Sequence, residues 1–191
     1  RVATRTFDKT QYEASKAKLS TDDTITVSDN TLTGSEASTL GADGKVDVII
    51  TTLDKAAYAT ATGNLHADDT ITVSDNTLTA AEVAVLGADA KVDAIRVATR
   101  TFDKTQYEAS KAKLHADDTI TVSDNTLTAA EIAVLGADAK VDAIRVATRT
   151  FDKTQYEASK AKLSTDDTIT VSDNTLTGSE ASTLGADGKV D

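Results

Sequence analysis

Cysteine, methionine, tryptophan and proline are all absent from the 191 residues, and only two histidines, three phenylalanines and four tyrosines are present. Without cysteine there is neither a disulfide framework nor a thiolate metal site. No run of about 18 apolar residues occurs, so no segment reads as a membrane-spanning helix, and no signal peptide is recognisable. Basic residues are also in short supply: 20 Lys and Arg against 31 Asp and Glu give a net charge of −11. That balance argues against nucleic acid as a partner, because affinity for phosphate backbones comes from clustered Lys and Arg. The chain does not open on methionine and is read as a segment or a processed product.

What is present is repetition. Residues 1–47 and 145–191 are identical, and edited versions of the same text fill the interval. The phrase DDTITVSDNTLT begins at Asp22, Asp68, Asp117 and Asp166, at spacings of 46, 49 and 49 residues. These spacings divide the chain into repeats 1–47, 48–93, 94–142 and 143–191, read as one continuous array. The strand anchors Ile25, Ile49, Ile71, Ile95, Ile120, Ile144 and Ile169 recur every 22 to 25 residues, so the structural step is a coil of about 24 residues, repeated about eight times.

Each coil reads as strand, turn and short helix. Ile71 and Val73 alternate with Thr70 and Thr72, the period of a strand with one buried face. Thr79 with Glu82 forms a capping box, and Leu78 with Val83 a hydrophobic staple, so a helix starts near Ala80. Gly87 is positioned to end it in a left-handed conformation. In the alternate coil Ile95 and Val97 are the inward pair of a strand, Asp103 caps with Gln106, and Phe102 staples onto Tyr107. Stacked coils would bury Ile71, Val73, Leu78, Val83, Leu86 and Val92 in one coil and Ile95, Val97, Phe102, Tyr107 and Leu114 in the next. The expected fold is α/β: a solenoid with a parallel sheet on one side and short helices on the other.

The run Ile25-x-Val27-x-x-Asn30-x-Leu32, repeated from Ile71, Ile120 and Ile169, resembles the L-x-L-x-x-N-x-L core of leucine-rich repeats. The resemblance implies that Asn30, Asn76, Asn125 and Asn174 bond backbone groups of adjacent coils as a ladder. Arg5, Arg100 and Arg149 stand at the Asn position in the alternate coils. The composition, high in Thr, Asp and Ala, is similar to that of repeat regions in large secreted bacterial surface proteins.

Coils alternate in charge. Residues 94–114 carry five basic against two acidic side chains, and residues 115–142 one basic against six acidic. Opposite charges are therefore expected across coil boundaries, where identical coils would oppose like charges. The coil from Ile49 to Leu65 departs from this pattern. It is about three residues shorter, has only Asp54 and Lys55 as charges, and carries Ala56, Ala57, Ala59 and Ala61, which suggest a flat packing surface.

Few residues invite chemistry. The pairs Asp22-Asp23, Asp68-Asp69, Asp117-Asp118 and Asp166-Asp167 are hard oxygen ligands in regular rows and suit calcium, although no D-x-D-x-D-G spacing accompanies them. His66 and His115 are replaced by serine in the other copies. No G-x-S-x-G, H-E-x-x-H or phosphate-binding loop occurs. No catalytic or cofactor-binding residue is assigned, and the chain is read as non-enzymatic. The expected function is a stiff spacer or self-assembling filament module of an extracellular or cell-surface bacterial protein. Its partner would be a second copy stacked head to tail through open sheet edges, with room for lateral protein partners. Two alternatives are an engineered consensus repeat without a natural ligand, and a protein-binding module using the sheet face at Thr24, Thr26, Arg96 and Ala98.

Overall fold

A strand that buries two side chains on one face needs a second strand beside it to persist. The computed structural model describes residues 3–191 and meets this need with ten parallel strands and eight α-helices arranged in repeated β–α units. Strand β1 (Thr4–Phe7), helix α1 (Lys9–Ser15), β2 (Thr24–Ser28) and α2 (Gly34–Gly41) make the first two coils. They are followed by β3 (Val48–Leu53), α3 (Lys55–Ala61), β4 (Thr70–Ser74) and α4 (Ala80–Ala88). Then come β5 (Ala94–Arg96), β6 (Thr99–Phe102), α5 (Lys104–Ser110), β7 (Thr119–Ser123) and α6 (Ala129–Ala137). The last elements are β8 (Ala143–Arg145), β9 (Thr148–Phe151), α7 (Lys153–Ser159), β10 (Thr168–Val171) and α8 (Gly178–Gly185). This is the repeated β–α architecture expected of a solenoid. Arg1 and Val2, the first residues of repeat 1–47, lie outside the described residues.

The packing falls into two units. One runs up to Val97 and takes in Ala112–His115; the other is Ala98–Lys111 with Ala116–Asp191. In the first unit β1 to β5 form one five-stranded parallel sheet in chain order. In the second, β6, β7 and β8 form a three-stranded sheet, and β9 pairs with β10.

Local chemistry places the helices where the sequence predicts. Thr79 accepts from the Glu82 amide and Glu82 returns the bond, a complete capping box. Asp103 and Gln106 do the same for α5, and the Phe102 and Tyr107 rings meet at 6.4 Å between centroids. Each such cap stabilises its helix by about 1 kcal/mol. The core is aliphatic and aromatic: of the eleven expected core residues, ten are buried and Leu86 is half-buried.

Two expectations are corrected. Gly87 does not end its helix, because α4 continues through it to Ala88, and no glycine among the described residues is left-handed. Glycines here permit close helix approach instead. A Cβ added to Gly34 would lie 2.5 Å from the Ala57 carbonyl oxygen, and one on Gly41 2.3 Å from that of Asn64, so α2 touches α3 at one end and the turn after α3 at the other. Gly136 meets Ala158 of α7 in the same way, at 2.4 Å.

The second correction concerns the strand expected through Ile95 and Val97. Both are fully buried, but they do not share a strand: β5 stops at Arg96 and β6 begins at Thr99. Ala98 between them has φ 57°, and its counterpart Ala147 has φ 58°. At the latter, the Thr148 amide donates to the Val146 carbonyl at 2.8 Å, closing a tight left-handed turn. Left-handed alanine costs roughly 1–2 kcal/mol, which the buried Val97 and Val146 offset by docking in the core.

Charge alternation is realised on one side of each basic helix. Lys9 pairs with Glu36, Lys55 with Glu82, Lys104 with Glu131 and Lys153 with Glu180. All four are partly exposed, so solvent screens them strongly. The short coil has given up its other cations and kept Lys55, the one this contact uses.

Candidate functional site

The residues with the richest chemistry are aspartates, and the structure sorts them into ranks by what they hold. The second member of each Asp pair turns inward. Asp69, only 3% exposed, accepts the Ile49 and His66 amides, both at 2.7 Å. Asp118 accepts the Ala98 amide at 3.0 Å, and Asp167 accepts those of Val146 and Ala147 at 3.1 and 3.0 Å. Asp23 accepts the Ala3 amide at 2.9 Å. In the kinked coils this carboxylate therefore grips the backbone at the left-handed alanine. The first members, Asp22, Asp68, Asp117 and Asp166, are exposed. Asp166 forms a surface ion pair with Arg145 at 3.2 Å.

A second rank follows each acidic strand. Asp29, Asp75, Asp124 and Asp173 each accept the amide of the first helical residue of the preceding coil: Lys9, Lys55, Lys104 and Lys153, at 3.2–3.3 Å. Their other oxygen accepts the hydroxyl and amide of the threonine two residues on, which holds these carboxyl groups below their ordinary range.

A third rank, Asp47, Asp93, Asp142 and Asp191, accepts the amides of Ile25, Ile71, Ile120 and Ile169 at 2.7–3.0 Å. Each also donates its own amide to the carbonyl of the same isoleucine. In a fourth position Asp43, Asp89 and Asp138 accept the hydroxyls of the buried Tyr12, Tyr58 and Tyr107 at 2.7–2.8 Å. Burial, reinforced by Asp89, pushes the Tyr58 hydroxyl up to about 12.

The inter-coil ladder is thus built from carboxylates. Asn30, Asn76, Asn125 and Asn174, on which the leucine-rich-repeat likeness places it, are exposed in the turns. Asn30 Oδ1 accepts from the Thr52 hydroxyl of the adjacent coil at 3.4 Å. The physical reason is charge: an ionised carboxylate accepts backbone N–H groups about twice as strongly as a neutral amide oxygen. Ranks two and three escape sequence reasoning because a lone Asp in a turn reads as an ordinary turn residue. The available signal is that each recurs at one phase of every acidic coil.

Within each pair one carboxylate is held by backbone amides and the other is exposed. His66, Asp68 and Asp69 form the one group among the described residues whose ligand atoms lie within 4.8 Å of one another. Both Asp69 oxygens there are engaged by amides. His115 lies with Nδ1 3.3 Å from an Arg96 guanidinium nitrogen.

The four alanines of the short coil do not make one surface. Ala61 is fully buried and Ala57 is half-buried beneath Gly34, while Ala56 and Ala59 are exposed. Successive helical residues are about 100° apart, so these four positions, spread over residues 56–61, cannot face one way. Ala59 instead borders an apolar cleft of about 420 Å³ between α3 and α4, shared with Tyr58, Leu78, Ala81 and Val85. Compared with known proteins, the chain matches no protein family, no curated protein and no solved structure.

Proposed function

We propose that the chain is a structural, non-catalytic repeat segment: a stiff spacer or self-assembling filament module of an extracellular or cell-surface bacterial protein. The observation that carries this reading is how the charged side chains are spent. Three aspartates of each acidic coil accept backbone amides 20 or 22 residues away, so the acidic character of the sequence is used to fasten coil to coil. Such fastening suits resistance to bending and pulling, because each junction carries several charge-assisted bonds in addition to its strand pairing. In this reading the leucine-rich-repeat likeness is one of strand core and period, and the copies associate head to tail through their end coils.

Electron microscopy and sedimentation of the purified chain over a wide concentration range test it. Long uniform fibres or end-to-end oligomers at rising concentration are expected. Monomeric rods at every concentration would remove the self-assembling reading and leave only the spacer, and a flexible, non-cooperatively unfolding chain would remove both.

A further inference from the structure

The strands carry two faces of different chemistry. Ile25, Val27, Ile71 and Val73 turn inward and are buried, so alternation sends the threonines between them outward. In the first unit these line up from strand to strand: Thr4 and Thr6 lie beside Thr24 and Thr26, and Thr70 and Thr72 beside Ile50 and Thr52. Ser28 and Val48 fill the face between the two groups. All of them are exposed or half-buried. Of the threonine hydroxyls on this face, that of Thr52 donates to Asn30 at 3.4 Å, and among the described residues the others bond to no protein atom. Although the net charge is −11, no charged side chain occupies an outward position of β1 to β4.

We propose that the outward face of β1 to β4 is an ice-binding surface, whose ligand is the ordered water of a crystal lattice. Strands about 4.8 Å apart, with outward residues about 6.6 Å apart along each strand, set the hydroxyls on a regular grid. Both repeats are close to oxygen spacings in hexagonal ice. Branching at Cβ holds each threonine in few rotamers, so the grid is fixed before anything binds. Each hydroxyl both donates and accepts, as lattice water does, and the threonine methyls with Val48 and Ile50 keep the surface between hydroxyls apolar. The lack of charge complements a neutral lattice and not an ion, and no aromatic ring stands outward on these strands for a sugar to stack on. The short coil makes the face continuous. Ile50 lies beside Ser28 where, in the kinked coils, Arg96 lies beside Ser74 and Arg145 beside Ser123. Each arginine interrupts the neutral face, and in the second unit the threonines form separate squares, Thr99 and Thr101 with Thr119 and Thr121, and Thr148 and Thr150 with Thr168 and Thr170.

Ice-affinity partition and thermal hysteresis of the full chain test it, read at concentrations where the chain sediments as a monomer, so failure of self-assembly leaves the readout untouched. The chain should be enriched in slowly grown ice, shape its crystals into facets, and hold the freezing point below the melting point by a gap that widens with concentration. Thr72→Lys and Ile50→Arg should each lower that gap several-fold with circular dichroism and the unfolding midpoint unchanged. The fold accepts arginine at the Ile50 position in both kinked coils. Ala14→Lys, on the exposed side of α1, should leave the gap as it is. Rejection of the chain by growing ice, hysteresis that survives both face substitutions, or an equal loss with Ala14→Lys would each overturn the proposal. So would a second copy seated on the face, seen as dimerisation that Thr72→Lys abolishes with no binding to ice.

Discussion

The short coil and the kinked coils differ by three residues, and that difference decides whether the sheet is continuous. In Val48–Leu53 one six-residue strand pairs backward with β2 through Val48–Ile50 and forward with β4 through Ile50–Leu53. In Ala143–Phe151 the two tasks are divided. Ala143–Arg145 pairs backward with β7, Thr148–Phe151 pairs forward with β10, and Val146–Ala147 turns between them. The extra residues add a buried valine and a left-handed alanine, and they end the sheet. Where the short coil replaces them, β1 to β5 join as one sheet. A coil that looks eroded in sequence is thus the one that makes the sheet longest.

Four outcomes sharpen or break this contrast. The largest is expected from acid, which should act on both coil types together. Glu36, Glu82, Glu131 and Glu180 are held at about 2, chiefly by their lysine partners and then by threonine caps. The aspartates of the second rank are lowered in the same direction. A depressed folded-state pKa stabilises above the unfolded value of about 4 and is lost as pH falls through the folded one. The unfolding midpoint should therefore be flat from about pH 5 to 8 and drop steeply between about pH 4 and 2. A chain as stable at pH 2 as at pH 7 would contradict the carboxylate ladder.

Next is Gly34→Val, which forces a side chain into the Ala57 carbonyl and should cost about 3 kcal/mol or more in denaturant unfolding. The same change at Gly178, in open space, should stay within about 0.5 kcal/mol. Asp69→Ala leaves the Ile49 and His66 amides without their acceptor and should cost roughly 2 kcal/mol, while Asp68→Ala on the surface costs under about 0.5. Smallest is Ala147→Gly, expected to raise stability by up to about 1 kcal/mol because glycine is unstrained at φ 58°. The short coil has no left-handed residue at which the same gain could be made.

Much of the architecture is legible in the residues. Thr79 with Glu82, Asp103 with Gln106 and the Ile-x-Val alternation carry local signals that the tertiary structure obeys. The kink escaped because Ile95-Arg96-Val97 alternates like a strand, and a left-handed turn is ordinarily announced by glycine or asparagine, not by alanine. Gly87 reads as a left-handed cap because glycine commonly ends helices, whereas α4 runs on through it to Ala88. Among the candidate site residues, the sequence does not show that Asp69 faces amides while Asp68 is exposed. Asp47 and its copies were the least visible, because their acceptor role exists only once a second coil lies alongside.

The most direct test of the three-residue account is a solution NMR map of cross-strand contacts. Ile50 should show contacts to both Ser28 and Thr70. In Ala143–Phe151, contacts to Thr121–Ser123 should come from Ala143–Arg145 and contacts to Thr168–Val171 from Thr148–Phe151, with couplings at Ala147 reporting a positive φ. A single uninterrupted ladder along residues 143–151, paired on both sides with Ala147 extended, would contradict it.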